Sequence, residues 1–385
     1  MMRDIGTVSR GIRAPIIKAG DDLESIVVEA ILNAVENNNI TLNNRDIIGV
    51  TESLLARAQG NFITLDNVGK DIHDKFGDEV GVVFPMLSRN RFSLILDGVT
   101  RGVKKCYVQL NYPNDEVGNP ISNLDKISER GINPYSDEFT EEEYCKIFSS
   151  EERMNPFTKV DILDYYKNIS DKIEIFFSNN PVSILKYTKN VLVSNIHARF
   201  RTKEIIRKAG AINIYSLDEI AAKSIDGSGY NEKYGLLGSN YSTDHVLKLF
   251  PRDGEIFVNN VQKKIYDRTG KKCEVLIYGD GAFKDPVAGI WELADPVVSP
   301  AYTEGLAGVP SELKLKYIAD NANLSDDDIL NKIRTKDISQ KESLGTTPRR
   351  ITDLVGSLCD LTSGSGDKGT PIVLIQGYFD NYANT

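Results

Sequence analysis

The sequence predicts an α+β protein in which mixed sheets pack against helices, and three observations lead there. Short, continuously apolar runs at 46–51, 274–278 and 371–377 read as buried strands. Helical apolar spacing stands beside them, at Leu23, Ile26, Val27, Ala30, Ile31, Ala34 and Val35, and again over 352–361. The stretch from 124 to 265 differs in character: it is charged, rich in Lys, Asn, Asp and Tyr, and contains Glu141-Glu142-Glu143. A length of 385 residues suits two or three domains. The expected division joins 1–123 with 266–385 in one core and makes 124–265 an inserted lobe.

The elements follow in order. Residues 6–22 are rich in Gly, Pro and Ile and read as extended chain ending in a turn, with Asp22 as N-cap of the first helix. Asn37 to Asn39 end that helix. The strand Asp46-Ile47-Ile48-Gly49-Val50-Thr51 runs through Thr51-Glu52-Ser53 into a short helix closed by Gly60. A helix-containing link spans 62–80. Two further strands are expected, around Phe92–Leu96 and Lys105–Leu110, and then a polar loop from Asn111 to Pro120 that carries the adjacent acids Asp115 and Glu116. From Cys273 the pattern is core-like again: a strand to Tyr278, a turn Gly279-Asp280-Gly281, a helix over 352–361, a Gly/Ser loop over 363–369 and a closing strand. No repeat of fixed period occurs.

Composition excludes several classes. Asp and Glu outnumber Lys and Arg by 55 to 46, a net charge of −9, and a field of that sign repels nucleic acid. No apolar run reaches the ~20 residues that span a bilayer. Met1-Met2-Arg3-Asp4 has no apolar segment behind it, so no secretory signal is expected. The four cysteines, Cys106, Cys145, Cys273 and Cys359, form no CxxC pair and fit the reducing cytoplasm. His73, His197 and His245 make no zinc pattern. Gly227-Ser228-Gly229 is no nucleophile elbow, which removes serine hydrolases.

What remains are weaker constellations. Gly364-Ser365-Gly366-Asp367-Lys368-Gly369 matches GxGxxG, but it follows a helix and precedes a strand, the reverse of the dinucleotide fingerprint. Its glycines would let backbone N–H groups converge on an anion beside Lys368; a plain connector is the commoner use of such a loop. Asp280, at the end of a buried strand between glycines, can face a metal or be an ordinary turn residue. Asp115 and Glu116 offer further carboxylates for magnesium, or are simply solvated. Arg57 and Lys18 can meet a phosphate near the 51–53 junction, or lie idle on the surface.

The order of these blocks resembles the coenzyme F420-0:L-glutamate ligase family. Gly11-Ile12-Arg13-Ala14-Pro15-Ile16-Ile17-Lys18-Ala19-Gly20-Asp21-Asp22-Leu23 is similar to its opening, and 46–60 to its second block. Residues 274–281 resemble its strand-to-Asp metal block, and 353–377 its closing helix, glycine loop and strand. The resemblance covers about the first 120 and last 110 residues. It implies a nucleotide-binding core made of the N- and C-terminal thirds. It also implies GTP contacts at Ala14, Pro15, Ile16, Ile17, Glu52, Ser53, Arg57, Asn119, Ser363, Gly364, Ser365, Gly366, Asp367, Lys368, Gly369 and Thr370. Mg2+ or Mn2+ would be held by Asp280 with Asp115 or Glu116, and those carboxylates are expected to converge. L-glutamate and F420-0, or another carboxylate acceptor, would be the partners, and the protein a cytoplasmic homodimer with neither nucleic acid nor membrane to bind. Three positions depart from the family pattern: Arg57 replaces Lys, Gly281 replaces a hydroxyl ligand, and Ser365 replaces a metal-binding Glu. The alternatives are an amide ligase for another carboxylate, or a non-catalytic nucleotide-binding relative.

Overall fold

A computed structural model describes residues 5–87, 91–155, 159–280, 283–284, 291–292, 297–310, 318, 320, 324–335, 349–364 and 368–380. They fall into two units: Met1–Ala58, Asp253–Gly281 and Val297–Thr385 form the first, and Gln59–Arg252 with Ala282–Pro296 the second. Residues 59–123, grouped by sequence with the N-terminal core, thus lie in the second unit.

The chain begins with β1 (Val8–Ile12), α1 (Leu23–Asn37), β2 (Ile47–Thr51) and α2 (Glu52–Ala58) of the first unit. The second unit opens with β3 (Phe62–Thr64), α3 (Leu65–Phe76), β4 (Glu79–Val83), α4 (Phe92–Gly102) and β5 (Lys105–Leu110). It continues through α5 (Leu124–Glu129), β6 (Phe139–Thr140), α6 (Glu141–Ile147), α7 (Ser150–Arg153), α8 (Ile162–Lys167), β7 (Ile173–Phe177) and β8 (Asn190–Val193). Then come α9 (Arg199–Lys208), β9 (Asn213–Ser216), β10 (Asn240–Thr243) and β11 (Val246–Lys248). The first unit resumes with α10 (Gly254–Thr269) and β12 (Glu274–Tyr278). After β13 (Phe283–Lys284) and β14 (Trp291–Glu292) it ends on β15 (Ala301–Tyr302), the C-terminal helix Ile351–Ser363 and β16 (Ile372–Gln376).

The first unit is built on a mixed sheet of order β1-β16-β2-β12-β15, with β2 and β12 parallel and β16 antiparallel to both β1 and β2. Its strands read as unbroken apolar runs because both faces are covered. Ile48, Val50, Val275, Ile277, Ile372 and Leu374 pack with Val27 and Ile31 of α1 and Val258, Val261 and Ile265 of α10. Their neighbours Ile47, Leu276, Tyr278, Val373 and Ile375 face the other way, onto Val355 and Cys359 of the C-terminal helix. Each such buried aliphatic side chain contributes about 1.5–3 kcal/mol relative to exposure. Asp22 caps α1 as expected, its side chain accepting from the Ser25 N–H.

The second unit contains a sheet of order β6-β7-β5-β4-β8-β9, in which all but β6 are parallel. Numbered by their order along the chain, the five parallel strands run 3-2-1-4-5, the doubly wound arrangement. Beside it lies a smaller sheet, β10-β11-β3. The strand expected around Phe92–Leu96 is instead the first half of α4. Phe92, Ile95, Leu96 and Val99 are buried at helical spacing, and at Gly102 an added Cβ would stand 2.2 Å from the carbonyl oxygen of Gly69 in α3. Only glycine permits that approach of the two helices.

Candidate functional site

The register of the first sheet decides where its loops meet. Ile12 of β1 lies opposite Ile372 of β16, Ile372 opposite Val50 of β2, and Thr51 opposite Tyr278 of β12. β1, β2 and β12 therefore end at the same edge at which β16 begins. Residues 13–17, the Thr51-Glu52-Ser53 junction, Gly279-Asp280 and the segment up to Pro371 are brought to one end of one sheet.

Hydrogen bonds lock these pieces together. The Ala14 N–H donates to the Gly369 carbonyl at 3.3 Å, and the Thr51 N–H to the Pro371 carbonyl at 3.1 Å. The Tyr278 hydroxyl donates to that same Pro371 oxygen at 3.1 Å, and burial pushes its pKa up, so it stays a neutral donor. Thr370 closes the C-terminal loop by donating from its hydroxyl to the Ser363 carbonyl at 2.9 Å. Gly364 and Gly369 both have left-handed φ, +64° and +63°, and the Lys368 side chain lies over Gly364. Tyr278 was not singled out from sequence; a tyrosine as the last residue of an otherwise aliphatic buried strand is the signal that could have marked it.

Of the expected contact residues, Ala14, Pro15, Ile16, Ile17, Glu52, Ser53, Arg57, Ser363, Gly364, Lys368, Gly369 and Thr370 all belong to the first unit. Pro15 and Ile16 are exposed, Ile16 to 86%, while Ile17 is buried and anchors the segment. Glu52 is 8% exposed at the start of α2. Arg57 lies in the last turn of α2, where the Gly20 N–H donates to the Ala58 carbonyl at 2.8 Å and brings the turn after Lys18 alongside. Asp280 is half-buried two residues beyond Tyr278. Ser365, Gly366, Asp367 and Gly281 lie outside the described residues.

The chain matches the family model described as F420-0:Gamma-glutamyl ligase over residues 11–377. It belongs to the F420-0 gamma-glutamyl ligase family. No curated protein matches it. The match spans both units of this family member; it begins within the edge strand β1 and ends just after β16, the strand paired with it, whose register holds the site segments in place.

In this ligase-family chain the other expected metal carboxylates have different surroundings. Asp115 and Glu116 belong to the second unit, as does Asn119. Asp115 is buried and accepts from the N–H groups of Leu87 at 2.8 Å, Val117 at 3.0 Å and Asn119 at 2.8 Å, and from the Asn119 amide at 2.8 Å. Burial still pushes its pKa up to about 6, against those four donors. Glu116 accepts from the N–H groups of Ile196, His197 and Ala198, just ahead of α9. Both carboxylates are thus engaged by backbone donors. Among the described residues no three His, Cys, Asp or Glu side chains gather in a metal-binding group, and no helix is long and apolar enough to cross a membrane.

Proposed function

We propose that the chain is a GTP- and divalent-metal-dependent gamma-glutamyl ligase that couples L-glutamate to a carboxylate acceptor, F420-0 in the first instance. One observation carries the reading. Four sequence blocks, as far apart in the chain as Ala14 and Gly369 and ordered as in the family, meet at one edge of the first-unit sheet.

In the proposed reaction an acceptor carboxylate oxygen attacks the γ-phosphorus of GTP, the bond to the β-phosphate oxygen breaks, and GDP leaves. The amine of L-glutamate then attacks the acyl carbon of the acyl phosphate, the carbon–oxygen bond breaks, and phosphate leaves. Such transfer is promoted by positioning and charge neutralisation rather than by a nucleophilic side chain. Lys368 and Arg57 supply positive charge, and at Gly369, where nothing lies within 4 Å of an added Cβ, the backbone admits a phosphate closely.

For the metal, the oxygen donors at the strand ends fit a hard cation. Asp280 follows β12 and Glu52 follows β2, adjacent parallel strands whose last residues are paired. Mg2+ or Mn2+ takes one or two carboxylates together with phosphate oxygens. Asp280 is carried forward as its ligand; Asp115 and Glu116 are not, because their oxygens already satisfy backbone donors. When bound, the cation neutralises charge on the transferring phosphoryl group.

An open groove of about 560 Å³ adjoins the 14–17 segment, lined by Ile12, Pro15 and Ala30 and by the polar Arg13, Glu29 and Asn33. Its apolar lining suits a flat ring system such as that of the deazaflavin, and Arg13 offers one cation to an anionic acceptor while Glu29 is paired with Arg268.

The test is direct. Purified protein with GTP, Mg2+ or Mn2+, L-glutamate and F420-0 should release GDP and phosphate in step with a glutamylated product. Nucleotide hydrolysis coupled only to another carboxylate would move the assignment to a sister amide ligase. No nucleotide turnover with any carboxylate would remove it.

A further inference from the structure

The doubly wound sheet of the second unit has its topological switch between β4 and β8, which pair in parallel and feed chain to opposite sides. Ligands of such sheets bind at the carboxyl ends of the two strands flanking that point. Here those ends are Val83–Leu87 and Ser194–Ala198, and the Ser194 N–H donates to the Val83 carbonyl at 2.8 Å.

Four observations converge on this crevice. First, α9 starts there with no cap of its own: its N-cap is Ala198, no side chain caps it, and its first turn has no acid. Second, three N–H groups of the segment that leads into α9, those of Ile196, His197 and the N-cap Ala198, converge on one carboxylate, that of Glu116; His197 donates to one oxygen at 3.1 Å and Ala198 to the same oxygen at 3.3 Å. Glu116 comes from a loop 80 residues away and its side chain is exposed. Third, a cavity of about 20 Å³ opens beside Ile196, lined also by Met86, Arg91, Phe92, Ser194 and Ser239. The Ser239 side chain is 2% exposed, and among the described residues its hydroxyl has no hydrogen-bond partner. A buried hydroxyl left unsatisfied in a cavity wall costs stability unless something polar enters. Fourth, the first turn of α9 carries two arginines: Arg199 is paired with Asp218 at 3.3 Å, and Arg201 adds positive charge that favours an anion nearby.

We infer that this crevice is an anion-binding site for a compact ligand bearing a phosphate or carboxylate, and that Glu116 is its internal occupant, displaced when the ligand binds. Converging backbone N–H groups and the helix dipole favour either anion. The sequence from Phe84 to Arg91 contains no glycine, so a dinucleotide pyrophosphate is not the ligand class. The inference uses residues of the second unit alone and stands apart from the ligase reading.

The experiment uses the full chain. Inorganic phosphate and L-glutamate are titrated separately into wild type, Glu116→Ala and Ser239→Ala, with binding read by calorimetry and by amide hydrogen exchange over 194–201. If Glu116 fills the nest about nine-tenths of the time, removing it tightens binding about tenfold. Glu116→Ala should therefore bind at least one probe about tenfold more tightly than wild type, with the 194–201 amides protected, and Ser239→Ala should weaken that binding. Phosphate alone binding marks a phosphorylated ligand, glutamate alone a carboxylate ligand, and both a general anion seat. Should Glu116→Ala not fold, Glu116→Gln is measured, and protection of 194–201 in wild type at high probe concentration decides. Unchanged affinity for both probes, with no protection, would overturn the inference and leave Glu116 as a helix cap only.

Discussion

Gly49 sits in the middle of β2, the strand that delivers the Thr51-Glu52-Ser53 junction to the candidate site. A Cβ at this position would stand 2.4 Å from the Cys359 sulfur, 3.2 Å from the Cys359 Cβ and 3.3 Å from a ring carbon of Tyr278. Cys359 is fully buried on the C-terminal helix, so the sulfur has no free direction in which to retreat. Overpacking of this kind costs about 1–3 kcal/mol, offset by about 0.5–1 kcal/mol because alanine loses less chain entropy than glycine. Gly49→Ala should therefore destabilise the first unit by about 1–2 kcal/mol. The closest atom is the sulfur, so Cys359→Ala should relieve most of the clash. That variant alone should cost about 1 kcal/mol for its lost packing. The double variant should be less destabilised than the sum of the singles by about 1 kcal/mol or more. Urea unfolding of the four proteins, followed by a first-unit probe, measures the cycle. If Gly49→Ala lies within about 0.5 kcal/mol of wild type, or if the two effects simply add, the close packing of strand on helix described here is wrong. The same cycle read by GTP affinity tests whether the junction depends on that packing.

The remaining predictions concern charge. Asp280→Asn should leave urea stability unchanged and lower kcat/KM by about a hundredfold or more, since a catalytic cation is worth several kcal/mol; activity within a factor of about two would remove Asp280 as a metal ligand. Lys368→Ala should raise the KM for GTP about tenfold or more, the worth of one charged hydrogen bond to phosphate, and an unchanged KM would reduce the 363–370 loop to a connector. Asp115, with its pKa raised to about 6 by burial, holds its proton more tightly folded than unfolded. Its contribution to stability is present below the unfolded pKa and is lost as pH rises through about 6, a swing of about 2–3 kcal/mol. A carboxyl-carbon NMR titration reads the group directly, and a midpoint below about 4 would show that its four donors outweigh burial.

How much of this was legible in the sequence depended on whether the cause was local. The strands β2, β12 and β16 were visible because a strand covered on both faces must be apolar throughout, and a run such as Ile47-Ile48-Gly49-Val50 shows it without any partner in view. The capped start of α1 was equally local: Asp22 and Ser25 are three residues apart. Phe92–Leu96 was misread because five apolar-rich residues fit a strand or a helix. The deciding Val99 and the glycine contact with α3 lie outside that window. The doubly wound sheet stayed hidden for the same reason. Its register joins Val82 to Leu192 and Leu192 to Tyr215, and no local period encodes such pairings. Asp115 and Glu116 looked like one acidic pair, yet they serve different partners. Asp115 mostly holds its own loop and Leu87, while Glu116 holds residues 196–198. Adjacent carboxylates in sequence say nothing about which backbone N–H groups will reach them.

The excursion from residue 59 to residue 252 shows how so long a segment is carried between α2 and α10. Its two ends are tied to each other: the Gln59 side-chain amide donates to the Arg252 carbonyl at 2.6 Å, and the Arg252 N–H donates back to the Gln59 side-chain oxygen at 2.9 Å. One step further in, the Asn61 amide donates to the Phe250 carbonyl at 2.6 Å, and the Leu249 N–H donates to the Asn61 carbonyl at 3.0 Å. β3 and β11 then continue the pairing, Phe62 opposite Lys248. The segment thus leaves and returns through one closed stem, and everything inside it can be organised around its own core. Closing a loop grows more costly only slowly with length, by about 0.6 kcal/mol per doubling. A stem sealed by paired side chains and a strand ladder can therefore hold a whole doubly wound sheet. In the first-unit sheet β2 needs only β12 and β16 beside it, and neither strand belongs to the excursion. The strand ends that assemble the candidate site are thereby independent of the length of chain inserted between them.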